Sequence, residues 1–250
     1  MKIISKLLLF LLLSAEMAHA VALSGPDAAR VGHKVWMNEC GGTLDGLVSW
    51  NAGEAFPSLG IGHFIWYPAG NPGPFEESFP RFVALLKQRG AKLPSWMTKA
   101  APWQNRAEMV RDSSRVRELR ILLGATVGVQ TEFLIQRLEA ALPKMLASAN
   151  AKNRDAVRRR FERLAATPSG AFALIDYVNF KGEGVLGTER YRGEGWGLLQ
   201  VLEGMQEHGN EVSDFSEAAK RVLARRVRNA PPERHEQRWL AGWQDRVGRY

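Results

Sequence analysis

Cysteine is almost missing from this chain: Cys40 stands alone among 250 residues. No disulfide can form within one chain that has a single thiol, so stability must come from a buried apolar core. Cys40 adjoins Glu39, but no His/Asn arrangement can be assigned to it as a nucleophile, and a small buried hydrophobe is its simpler role. After the first twenty residues no apolar run approaches the ~20 residues that a membrane-spanning helix needs. The chain beyond them is therefore expected to be soluble, with no stable membrane span. Internal repeats and low-complexity segments are missing too, as are a metal-ligand cluster and a phosphate-cradling glycine loop, so no cofactor is implied. The basic charge comes with no recognisable nucleic-acid motif, which argues against nucleic acid as a partner.

What is present begins with a leader. Lys2 and Lys6 form a basic n-region, Leu7 to Leu13 an apolar stretch, and Ala18-His19-Ala20 a small-residue ending. That order is the pattern of a secretory signal cut before Val21, with an uncleaved anchor as the alternative. The mature chain of about 230 residues fits one large domain. The formal charge of +8 becomes +7 once Lys2, Lys6 and Glu16 leave with the leader. An exported basic protein is drawn to anionic polymers such as cell wall or lipid head groups. Eight tryptophans are many for this length. Trp50, Trp66 and Trp196 are candidate sugar platforms, with core packing as the competing role.

Periodicity divides the rest. Val31, Val35, Trp36 and Glu39 fall at helical spacing, with a start at Ser24 to Asp27 and a stop at Gly41-Gly42. Residues 43–67, short and glycine-punctuated, predict a small β-hairpin or meander. Pro68, Pro72, Pro74 and Pro80 predict a loop over 68–80. Helical patterns follow at 79–89, 113–124, 130–146, 151–166 and 170–180, the last nearly all apolar as in a buried central helix. Residues 216–228 and 232–243 predict a closing pair broken by Pro231-Pro232. The sum is an α+β domain: a small N-terminal sheet lobe followed by a mostly helical lobe.

The most informative stretch runs from Glu54 through Ser58-Leu-Gly-Ile-Gly-His63, with Glu39 upstream. It gathers two carboxylates, a hydroxyl and a tight turn, and two carboxyl groups across a sugar can cleave a glycosidic bond. The segment Ser58 to His63 resembles the Thr-x-Gly-x-Gly-His turn of the phage-type lysozymes (glycoside hydrolase family 24). Ala173-Leu-Ile-Asp-Tyr-Val178 with Lys181-Gly-Glu183 is similar to that family's central helix and the turn after it. Glu217 through Asn229-Ala-Pro-Pro-Glu-Arg234 is similar to its closing helix pair. Gly195-Trp-Gly-Leu-Leu-Gln-Val201 is faintly similar to a Gly-Leu-Met-Gln motif of lytic transglycosylases.

The resemblance implies a lysozyme-like fold and a set of roles. Glu39 matches the general acid, Glu54 the second carboxylate, and Ser58 the hydroxyl that positions water. Arg234 matches an arginine close to the acid, and Asn179 stands where the family has an aromatic cleft wall. His63 ends the turn, where an imidazole most often bonds nearby backbone. Glu54 sits closer to His63 than the family's acid does, and Ser58 replaces its threonine. The implied activity is that of an exported muramidase, in the periplasm or cell envelope, acting on peptidoglycan glycan strands at the β-1,4 bond between N-acetylmuramic acid and N-acetylglucosamine. Lytic transglycosylation by Glu39 alone is one alternative, and a non-catalytic wall-binding protein on the same scaffold is another. The Arg154 to Arg163 face is expected to be solvated or to track an anionic polymer.

Overall fold

In the computed structural model, Val21 and residues 23–250 are described; the expected leader, 1–20, lies outside the described residues. The first helix, α1 (Gly25–Cys40), starts where expected: the Ser24 hydroxyl accepts from the Asp27 amide at 3.2 Å, and Pro26 occupies the first turn, where its missing N–H costs nothing. Gly41, at φ 60°, ends the helix in the left-handed region. A short 3-10 turn (Asp45–Leu47) leads into an antiparallel meander of β1 (Val48–Ser49), β2 (Ser58–Leu59) and β3 (Phe64–Ile65). Val48 pairs with Leu59, and Leu59 with Phe64.

The remainder is helical: α2 (Phe79–Gln88), α3 (Arg106–Arg111), α4 (Ser113–Ala125), α5 (Val127–Ser148), α6 (Arg154–Ala165) and α7 (Pro168–Lys181). After a two-stranded hairpin, β4 (Arg190–Tyr191) with β5 (Glu194–Gly195), come α8 (Leu198–Gly204), α9 (Glu211–Asn229) and α10 (Gln237–Val247). The α+β reading therefore holds, with a helix-rich majority and a small antiparallel sheet. Three elements were not expected from periodicity: α3, α8 and the second hairpin are each too short to show a clear period. The loop expected over 68–80 ends early, because Phe79 and Pro80 open α2. Proline is tolerated in a first turn, where its N–H would be unbonded anyway.

Two packed groups meet along α5. At its N-terminal half, Gln130 is fully buried, and its side-chain oxygen accepts from the Ile61 amide at 2.8 Å. Phe133 there packs against Phe64 and Phe82, beside a cluster of Trp66, Phe79, Trp96 and Trp103. On the other side α7, buried from Gly170 to Val178, is wrapped by α1, α5, α6, α8 and α9. With 22 residues α5 runs about 33 Å, long enough to belong to both groups.

Tryptophan serves this packing. Trp50, Trp66 and Trp196 retain only 6%, 0% and 7% of their surface, so none of them is a sugar platform. Two of the five α6 arginines are engaged within the chain: Arg160 donates to the Leu202 and Glu203 carbonyls, and Arg163 pairs at the surface with Glu207 and Glu211.

The Gly-x-Gly-His turn is shaped by contact. Gly60 has φ 69°, which only glycine adopts freely. A Cβ on Gly62 would stand 2.3 Å from the Phe64 ring and 2.9 Å from Leu134. Both neighbours are buried and neither can retreat. Gly62→Ala should therefore destabilise the domain by roughly 1–3 kcal/mol, the usual cost of overpacking. The check is a denaturant titration against wild type, with an unchanged midpoint as the contrary result.

Candidate active site

Glu39 is the next-to-last residue of α1. A carboxylate is out of place there, since the C-terminal end of a helix carries partial negative charge and disfavours an anion by about 0.3–1 kcal/mol. The structure answers with donors from three other segments. Glu39 Oε1 accepts from Arg246 of α10 and, at 3.1 Å, from the Asn179 amide of α7. Glu39 Oε2 lies 3.3 Å from Nδ1 of His63. The Glu39 side chain is only 8% exposed, whereas His63 is 36% exposed and forms the open side of the cluster.

His63 reaches this place because its backbone is left-handed, at φ 47°, an uncommon conformation outside glycine. The imidazole expected to bond nearby backbone thus meets Glu39 instead.

Arg246 is shared. It also donates to both oxygens of Asp176, at 2.9 and 2.7 Å. Asp176 is fully buried in α7 and takes further bonds from Asn38 at 3.1 Å and the Tyr250 hydroxyl at 2.8 Å. Burial alone would lower the Arg246 pKa, but the hydrogen bonds to Asp176 and the charge of Glu39 outweigh it, and the net shift is upward. Burial, then the charge of Asp176, holds the Tyr250 hydroxyl well above its usual range.

The turn after α7 completes the surroundings. Lys181 closes the helix with its ammonium 3.4 Å from the Trp243 ring centroid and 3.8 Å from that of Phe180. Aromatic faces attract a cation, but they do not replace its lost water. Burial, assisted by the neighbouring Arg226 charge, pulls the Lys181 pKa down to about 6. The Gly195 to Val201 segment braces this turn: the Gln200 side chain accepts from the Gly197 amide at 3.0 Å and donates to the Gly184 carbonyl at 3.1 Å.

Of the six residues expected in the site, Glu39, His63 and Asn179 come together. Arg234 does not join them. It is exposed, and its guanidinium donates to the Tyr191 hydroxyl at 3.3 Å. The arginine on Glu39 is Arg246, one helix further along. The correction has a physical cause: His235, at φ 49°, turns the chain between Arg234 and α10, so that α10 carries Arg246 onto α7.

Glu54 sits in an exposed turn, where its carboxylate accepts from the Asn51 amide at 3.2 Å and its backbone carbonyl from the Trp50 indole at 2.8 Å. With Asn71, Pro72, Gln104, Asn105 and Arg106 it lines an open depression of about 440 Å³. Glu39, His63 and Asn179 are not among the residues of that lining. Ser58 is 95% covered within β2, where its carbonyl accepts from the Ser49 hydroxyl at 3.3 Å.

Sequence reasoning missed Asp176, Lys181 and Arg246. Asp176 left a trace, being the one acid in an otherwise apolar helix, and a buried acid demands a partner. Cys40 is buried, and desolvation raises its thiol pKa to about 12, which makes it inert. Among the described residues no three His, Cys, Asp or Glu side chains form a candidate metal site, and no helix is long and apolar enough to cross a membrane. Comparison with protein-family models, with curated proteins and with solved structures returns no match.

Arg246→Met should strand Asp176 without its cation, a loss of about 3–5 kcal/mol, read as a lower midpoint in chemical unfolding. Lys181 makes a pH prediction. Its proton is held by the unfolded chain up to about pH 10.5 and released in the folded protein above about 6. Between those values the unfolded state binds more protons, so stability rises with pH across that window. In Lys181→Met this contribution vanishes. Melting curves should show wild type gaining on the variant from pH 6 to pH 10, and parallel pH profiles would contradict the buried neutral amine.

Proposed function

We propose that the chain is an exported glycosidase of lysozyme-like fold that cleaves peptidoglycan glycan strands, with Glu39 as the general acid. The observation that carries this reading is the asymmetry of the Glu39 carboxylate. Oε1 accepts from two donors, Arg246 and Asn179, and is thereby the acceptor oxygen. Oε2 faces only an imidazole, on the exposed side. A proton on Oε2 is the one positioned to pass to a glycosidic oxygen as positive charge grows on the sugar carbon. The leader expected over 1–20, the basic charge and the three motif resemblances support an envelope substrate.

The bonds made by Glu54 favour the one-acid form of the reaction. Its carboxylate is tied to Asn51 and lines a different depression. Asp176 is no substitute base, because Arg246, Asn38 and Tyr250 occupy it. In this form Glu39 first gives its proton to the leaving oxygen. The resulting carboxylate then takes the proton of the substrate's own C6 hydroxyl as that oxygen closes on C1, leaving a 1,6-anhydro end and Glu39 protonated again. The muramidase reading assigns water activation to Glu54 and its positioning to Ser58; that reaction leaves reducing ends.

Mass spectrometry of digested wall reads the outcome directly. Anhydro ends are expected from the wild-type protein, and Glu39→Gln should lower their release at least 100-fold, the lower range of a general acid's contribution. Reducing ends that disappear in Glu54→Gln would instead establish hydrolysis. No product of either kind would leave a wall-binding protein.

A further inference from the structure

Two separate observations meet at Val21. The small-residue ending Ala18-His19-Ala20 predicts a cut of the leader just before it. In the fold, the same residue is 6% exposed and belongs to the apolar core that holds Val31 and Val35 of α1. Its backbone nitrogen donates to Oε1 of Glu139 in α5 at 3.3 Å.

The packing of α1 on α5 brings the pair together. Gly32 lies so close to α5 that a Cβ on it would stand 2.0 Å from the Thr131 hydroxyl oxygen. Val21 and Glu139 make a second contact, earlier along the first segment and later along the second. The two segments therefore run in opposite directions, and α5 presents Glu139 to the residues that precede α1. An amide offers a carboxylate one neutral N–H. An α-ammonium at the same place offers it a full charge and up to three donors.

We propose that removal of the leader creates a structural ion pair between the new N-terminus and Glu139. Hydrolysis of the Ala20–Val21 peptide bond consumes one water, leaves a carboxylate on Ala20 and frees an amino group on Val21. That group takes a proton and docks as an ammonium on Glu139. The cut acts on the chain before it folds, so the burial of Val21 does not shield the bond. The ion pair then fixes the approach to α1, as Arg246 and Asn179 fix Glu39 near its other end. This rests on the export reading and is independent of the sugar chemistry.

The full chain is expressed with export, and the first residue of the recovered protein is read by intact mass; Val21 is expected. The product is then pulsed with acetic anhydride at about pH 7, where solvated lysines stay protonated and a free α-amine reacts. Acetylation is followed on the N-terminal peptide by mass spectrometry. A carboxylate partner holds the proton on the amine. Native wild type should therefore label at least about 10-fold more slowly than Glu139→Gln, the scale of a charge-assisted bond. Wild type unfolded in denaturant is a second reference, expected to label at least about 10-fold faster than the native protein on the same ground, and it serves where Glu139→Gln fails to fold.

A first residue other than Val21 overturns the proposal. So does equal labelling of native wild type and Glu139→Gln, which burial without an ion pair would give, or equal labelling of native and unfolded wild type. These failures are separable from that of the readings above. A chain that starts at Val21 but labels alike in both forms leaves export standing and loses only the ion pair. Wall digestion reads the glycosidase in every case.

Discussion

One guanidinium, that of Arg246, holds this architecture to its candidate chemistry. Asp176 sits fully buried in the central helix, where an unpaired carboxylate would cost several kcal/mol. Only a cation brought from elsewhere in the chain can satisfy it. Arg246 comes from the last helix, and once docked on Asp176 its remaining N–H groups meet Glu39 at the end of the first helix. Asn38, next to Glu39, bonds Asp176 as well, and Tyr250 closes the far side. The two ends of the described chain and its middle are thus joined at one charge cluster.

That arrangement separates the task of stability from the task of reaction. Asp176 neutralises Arg246 and has every oxygen engaged. Glu39 contributes less to the balance and keeps one oxygen facing outward. A carboxylate at the C-terminal end of a helix works against the helix dipole, and it persists because donors from α7 and α10 outweigh that local penalty. Residues that violate a local preference while being held by remote partners are the expected mark of a functional position.

The sequence disclosed these matters unevenly. Long elements with a clear period, such as α5 and α7, were legible because burial of one face or of all faces leaves a trace in composition. The 7-residue α8 and the two-residue strands of the second hairpin leave no such trace. Gly60 and Gly62 were legible as a turn, but the role of His63 was not, since neither its positive φ nor its approach to Glu39 leaves a mark in the spacing of residues. Arg234 and Arg246 differ by 12 positions and offer the same side chain; only the bend at His235 and the docking of α10 decide which one meets Glu39. The second carboxylate illustrates the reverse error. Glu54 was read from spacing along the chain, whereas its neighbours Asn51 and Trp50 fix it in a different depression.

Charge around Glu39 gives the last constraint. Lys181, the cation nearest the end of α7, is held largely uncharged at neutral pH by burial, so it adds little field. Arg246 faces two carboxylates and is more than balanced. Lys144 is matched by Glu183. The fold thus settles the charge around Glu39 from within the chain, with Arg246 set against Glu39 and Asp176 and Lys181 giving up its proton to burial.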